Sequence, residues 1–181
     1  AIQHNLDWVW PFWVEKQFNP KDFSFIPRAF SFTHVNLTHR NWTAAGHPDL
    51  ALYPLVDPRG LVTPGFDSWS LDFWIIDKNG SHLLPSKTKD AVQEWRFNPN
   101  LEVCTCLNAQ DKELKSSLTL EIEDNEPLAK VKVRAKSPGQ AWLAISVRPY
   151  NPEGVQFIEK LEFDEQSRKW LVNNKESIFL N

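Results

Sequence analysis

Strict alternation after residue 116 narrows the folds open to this chain more than any other feature. In 117–124 Leu118, Leu120 and Ile122 alternate with Thr119, Glu121 and Glu123. In 128–136 Ala129, Val131, Val133 and Ala135 alternate with Lys130, Lys132, Arg134 and Lys136. A period of two sorts apolar and polar side chains onto opposite faces of an extended strand, so both runs are expected as strands buried on one side. Asp124-Asn-Glu-Pro127 supplies the turn residues between them. Glu121 and Glu123 on one outward face then meet Lys130, Lys132 and Arg134 on the other. Opposite charges across an antiparallel pair contribute roughly 0.2–1 kcal/mol each, and a solvated sheet face accounts for them fully.

Further strands are expected at 140–150, 155–163, 168–174 and 177–181. They are separated by the turn signals Ser137-Pro-Gly139, Asn151-Pro-Glu-Gly154 and Asp164-Glu-Gln-Ser167. This spacing suits an antiparallel sandwich or barrel rather than βαβ units. Ahead of residue 90, Pro11, Pro20, Pro27, Pro48, Pro54, Pro58, Pro64 and Pro85 interrupt every apolar run, which predicts long loops and short strands. The clearest strand there is 68–77, ending at Asp77-Lys-Asn-Gly80, with 81–85 as the returning arm of a hairpin. Aromatic residues spread over both halves favour one shared core. The last expected strand reaches Asn181 with no polar tail, which suggests that the chain continues or that a partner domain begins there.

Charge and composition remove several partners. The net charge is −3 with Lys and Arg scattered among acids, so there is no basic stripe and no nucleic-acid partner is expected. No apolar run approaches the ~20 residues that span a bilayer, and no membrane partner is expected. A basic region followed by an apolar one, the mark of a secretory signal, is not visible at the N-terminus. The chain contains no Met, so either its initiator has been removed or it is a piece of something longer. Cys104 and Cys106 are its two cysteines. Two residues apart on one strand, they share a face and sit poorly for a disulfide, which favours a reducing, cytoplasmic setting.

The motifs of common chemistries fail in turn. Gly60-Leu-Val-Thr-Pro-Gly65 has the spacing of a phosphate loop but is followed by Phe66-Asp67 instead of Lys and Ser or Thr. No G-x-G and no G-x-S-x-G occurs. His34, His39 and His47 lie close in sequence, with Asp49 and Asp57 after them, but lack the tight spacing of zinc ligands. Neither a metal site nor a cofactor is expected, and no catalytic residue can be named. Asp57, Asp67, Asp72 and Glu153 are the acids set among aromatics or prolines, where turn-forming roles suit them best.

Tryptophan is the remaining chemical signal, because flat aromatic faces stack on the C–H faces of pyranose rings. Trp42 sits in the polar run 36–49, with His39, Arg40 and Asn41 as a possible polar fringe. Trp69, Trp74, Trp95, Trp142 and Trp170 lie in strand-like runs, where packing is expected. The segment LDWVWPFWVEKQF, 6–18, carries five apolar aromatics beside only three charged residues. That balance suits a segment laid across a sandwich or clamped against another domain. Trp8, Trp10, Phe12 and Trp13 are therefore candidate domain-interface residues.

Three stretches together, NLTHRNWTAAG (36–46), LVDPRGLVTPGFDSWSLDFWI (55–75) and ISVRPYNPEGVQFI (145–158), carry a resemblance. The sequence resembles the N-terminal β-sandwich domain of glycogen-debranching-like (amylo-α-1,6-glucosidase-type) glycoside hydrolases. The likeness extends over nearly the whole chain and rests mainly on Arg148-Pro-Tyr150-Asn-Pro-Glu-Gly154 between two strands. It implies an all-β, antiparallel β-sandwich (supersandwich-like) with a loop-rich, aromatic- and Pro-rich N-terminal half. That sandwich would form one domain over 1–181, the N-terminal part of a longer chain. It also implies a C-terminal helical-barrel catalytic domain as partner, which would hold the acid and base carboxylates. The sandwich would then be a non-catalytic accessory domain lending loops to the rim of a glycan site. Arg148, Tyr150, Asn151 and Glu153, with His39, Arg40 and Trp42, are the ligand-binding candidates for carbohydrate. Two rivals remain: a free-standing carbohydrate-binding module using exposed Trp, and a small β-barrel enzyme.

Overall fold

The computed structural model describes residues 42–180, apart from 66–67, 89, 98–99, 152–153 and 157. Strands are the main element of these residues, and none of them lies in an α-helix. In chain order the strands are β1 (Thr43–Ala44), β2 (Leu55–Val56), β3 (Val62–Thr63), β4 (Ser70–Asp77), β5 (His82–Leu83), β6 (Ala91–Phe97) and β7 (Leu101–Ala109). There follow β8 (Lys112–Glu123), β9 (Glu126–Lys136), β10 (Ala141–Arg148), β11 (Tyr150–Asn151), β12 (Gly154–Val155), β13 (Leu161–Asp164), β14 (Lys169–Val172) and β15 (Glu176–Phe179). One 3-10 turn, Pro85–Lys87, interrupts them.

Every pairing among the described strands is antiparallel. The first sheet runs β1-β2-β3-β4-β10, with β5 also beside β4; the second runs β6-β7-β8-β9. A small third sheet, β13-β14-β15, and the β11-β12 ribbon complete the set. The odd residues of β4, Leu71, Phe73 and Ile75, meet Val103, Leu107, Leu114 and Leu118 of the second sheet in one apolar core. Val56, Val62 and Trp69 join it from the first half of the chain and Val172 from the third sheet. The expected all-β antiparallel fold is present, and its two main sheets face each other in a sandwich-like way around a core drawn from both sides of residue 90. Each fully buried Leu or Phe there contributes ~1.5–3 kcal/mol.

The β8–β9 hairpin follows the alternation closely. Leu118 and Leu120 are buried, whereas Ile122 emerges near the turn. Asp124 and Asn125 take φ of 52° and 65°, forming a two-residue turn whose twist matches that of the flanking strands. The turn is thus tighter than the expected window: Pro127 lies within β9, opposite Ile122. β9 is a sheet edge among the described strands, the place where proline is tolerated. The charge pair nearest the turn is diagonal rather than facing, because Glu121 lies opposite Leu128, whereas Glu113 directly faces Lys136. Lys130 Nζ reaches Glu121 at 3.0 Å, and Glu113 is held by Lys115 and Lys136, each at 2.9 Å.

The inward row of β8 begins with a charge. Lys112 Nζ is buried and donates to Ser81 Oγ at 2.7 Å, with Asp77 Oδ2 at 3.2 Å and Asp111 Oδ1 at 3.4 Å. Loss of water alone would lower the pKa of this ammonium, but its hydrogen bonds to the two carboxylates outweigh that and raise it. Lys112 thereby ties the second sheet to the β4–β5 turn of the first.

Two expectations are corrected. The run 155–163 is not one strand: β12 ends at Val155 and β13 begins at Leu161. Between them Asn173 Oδ1 accepts the backbone N–H groups of Glu159 and Lys160 at 2.8 and 3.1 Å, taking donors that a ladder would use. The second correction concerns tryptophan. Trp69 is buried and Trp74 half-buried, but Trp95, Trp142 and Trp170 are 67%, 56% and 38% exposed.

Candidate functional site

β4 and β10 pair along their whole length, from Ala141 opposite Asp77 to Arg148 opposite Ser70. Facing residues point to the same side. Since Leu71, Phe73 and Ile75 enter the core, the even residues Ser70, Asp72, Trp74 and Ile76 share the other face with Trp142, Ala144, Ser146 and Arg148. That face carries the most elaborate polar cluster among the described residues.

Arg148 organises it. Its Nε donates to Tyr150 Oη at 3.0 Å. The guanidinium carbon lies 5.3 Å from the centre of the Trp74 ring and 5.1 Å from that of Tyr150, so the cation sits between two aromatic faces. Below it Asp72, 4% exposed, accepts the Phe73 N–H at 3.0 Å. Burial pushes the Asp72 carboxyl up, while its hydrogen bond from the Trp74 side chain and the charge of Arg148 work against that. The Tyr150 phenol is likewise pushed well above its usual range by burial, with Arg148 opposing.

A second acid lies close by. Asp57 closes the β2–β3 turn: its Oδ1 accepts the N–H groups of Arg59 and Leu61, both at 2.8 Å. Its Oδ2 is buried without a hydrogen-bond partner among the described residues. Burial, the largest effect, and the neighbouring Asp72 carboxylate raise its pKa to about 7 against the two N–H donors. The turn is pinned to the second sheet by Gln93, whose Nε2 donates to the Asp57 carbonyl at 2.9 Å and to Thr105 Oγ1 at 3.1 Å.

Of the sequence candidates, Arg148, Tyr150 and Asn151 meet at this corner. Tyr150 and Asn151 are buried and latch it. Asn151 Nδ2 donates to the Ser68 carbonyl at 2.8 Å, and Ser70 Oγ donates to the Tyr150 carbonyl at 2.6 Å. Trp42 is half-buried just before β1. His39, Arg40, Glu153, Asp67 and the candidate domain-interface residues Trp8, Trp10, Phe12 and Trp13 lie outside the described residues. His47 stays local, its Nδ1 accepting the Asp49 N–H at 3.2 Å. The sequence reading placed Trp74 and Trp142 in packing roles and did not name them for the site. Their shared face follows only from the β4–β10 register.

Among the described residues no group of three His, Cys, Asp or Glu is placed to hold a metal ion, and no helix is long and apolar enough to cross a membrane. Comparisons with protein-family models, with curated proteins and with solved structures find no match.

Chemically the corner is a rigid one. Its two acids are sealed beneath the surface, and its cation is already engaged by two rings and a phenol. Such an arrangement can present an aromatic and cationic surface. Among the described residues it offers no carboxylate that a substrate could reach without the strands parting.

Proposed function

We propose that this chain is an accessory, mainly structural β domain of a multidomain carbohydrate-active enzyme, non-catalytic alone, with its Arg148 corner bordering a glycan site. The observation that carries the reading is the sealing of the corner's acids: Asp57 is 1% exposed and Asp72 4%. General acid–base work needs a carboxyl within hydrogen-bond reach of the substrate, and these two serve the scaffold instead. The resemblance described above supplies the parent class and a helical-barrel partner that holds the catalytic carboxylates. A free-standing carbohydrate-binding module is the second reading, favoured by the exposure of Trp95, Trp142 and Trp170.

Two measurements test the first reading. The purified chain should release no sugar from oligosaccharide or aryl-glycoside substrates; turnover by it would refute the non-catalytic role. The native coding sequence should continue past the Asn181 codon into several hundred helix-patterned residues. A stop codon at that point would leave the binding-module reading as the better one.

A further inference from the structure

A strand at a sheet edge presents a row of backbone N–H and C=O groups that invites further pairing, and chains usually guard it with charge or proline. Among the described strands, the long ones at sheet edges are β6, β9 and β10. β9 carries Pro127 and the exposed Lys130, Lys132, Arg134 and Lys136, and β6 carries Glu94 and Arg96. β10 has no such guard, since 139–147 contains neither a charged residue nor a proline. It is also apolar on both faces. On the core side Leu143 and Ile145 lie opposite the buried Ile75 and Phe73, yet they are 40% and 39% exposed. Trp142 is exposed on the outer side.

The backbone groups at this edge can be assigned. The Lys78 N–H donates to the Gln140 carbonyl at 3.2 Å, whereas the Asp77 N–H turns the other way, to the Ser81 carbonyl at 2.9 Å. Antiparallel ladders alternate, so the even residues of β10 bond to β4, and the N–H and C=O groups of Leu143, Ile145 and Val147 point to the open edge. We infer that two copies of this chain pair antiparallel through β10, about a two-fold axis at Ile145. Leu143 then lies opposite Val147 of the second copy and Ile145 opposite its own equivalent, which covers the exposed core-side residues. On the outer side Trp142 lies opposite Arg148 of the second copy, an indole beside a cation. Ala144 and Ser146 between them are small and leave the indole room. Parallel pairing in register would instead set Arg148 beside Arg148. The strand is thus self-complementary, as a two-fold interface requires, and Pro149, which has no N–H, ends the ladder. The inference does not depend on the carbohydrate reading.

The test is analytical ultracentrifugation of the whole chain from micromolar to submillimolar concentration, which should show a reversible monomer–dimer equilibrium. Ile145→Pro removes an N–H that points to the open edge and leaves the ladder to β4 in place, so it should abolish the dimer. Leu143→Lys sets an ammonium into the seam at an exposed position and should weaken the dimer about tenfold or more. Its circular dichroism should match that of the natural chain, which keeps the test decisive where the proline disturbs folding. Trp142→Ala should weaken the dimer as well, and Lys132→Ala on β9 should leave it unchanged. A chain that stays monomeric throughout would overturn the inference, whether β10 is then bare, covered by residues of 1–41 or taken by another protein. A dimer that survives Leu143→Lys unchanged, or that Lys132→Ala weakens as much, uses another surface and overturns it too.

Discussion

Asp57 is where single-residue chemistry departs most from the ordinary. A carboxyl whose usual pKa is 3.8 titrates near 7 in the folded chain, mainly because burial disfavours its charge. Between those values the folded state holds a proton that the unfolded state has released. The stability contributed by Asp57 is therefore complete below about pH 4, falls as the pH rises towards 7, and changes no further above that. A shift of this size corresponds to roughly 4 kcal/mol at most. Asp72, also raised by burial, acts in the same direction. Asp164 acts the opposite way: its hydrogen bond from Ser167 lowers its pKa, so its contribution is lost as the pH falls. Asp57→Asn keeps an oxygen for the Arg59 and Leu61 donors and removes the charge. Its stability relative to the natural chain should rise steadily between pH 4.5 and 7.5, as read from urea unfolding at each pH. A difference independent of pH would show that the Asp57 carboxyl does not titrate in that window.

At the scale of elements, the β2–β3 turn shows how a short sequence signal becomes a packed joint. Gly60 has φ +87°, and a Cβ there would lie 3.0 Å from Ser116 Oγ and 3.4 Å from Thr105 on the second sheet. Gly60→Ala should therefore lower stability by about 1–3 kcal/mol, the scale for a side chain forced into the left-handed region. Gly139→Ala, with open space around it, should stay within about 0.5 kcal/mol, and urea titration of both variants checks the contrast. The same joint shows why some features are legible in the sequence and others are not. The alternation at 118–122 and 129–135 can be read directly, because one face of that hairpin is buried and the period of two records it. The two-residue strands β1, β2, β3 and β5 are too short to carry a period. The break between Val155 and Leu161 depends on the side chain of Asn173, more than a dozen residues downstream. The site divides likewise. Arg148 and Tyr150 stand out as polar groups at a strand end, and Asp57 and Asp72 as acids among aromatics. Their convergence, and the outward face shared by Trp74 and Trp142, follow from a register between strands about seventy residues apart.

For the molecule as a whole, the two halves of the sequence differ in texture but not in allegiance. The proline-rich half supplies Val56, Val62, Trp69, Leu71, Phe73 and Ile75 to the same core that receives Val103, Leu107, Leu114 and Leu118 from the regular half. Lys112 adds a buried ionic tie between the sheets, and Gln93 a hydrogen-bonded one. Neither sheet can keep its apolar face dry alone, so the sheets should lose structure together. Phe73→Ala on the first sheet should remove about 3–5 kcal/mol and Leu118→Ala on the second about 2–5 kcal/mol. Both should move one and the same unfolding transition. Far-ultraviolet circular dichroism follows all the strands, while tryptophan emission sums the nine indoles of the chain, among them Trp69 in the core and Trp74 beside Arg148. In the natural chain and in each variant the two signals should give coincident midpoints. A Phe73→Ala variant whose tryptophan signal melts early while the strand signal keeps its original midpoint would show two independent sheets and break the single-core description.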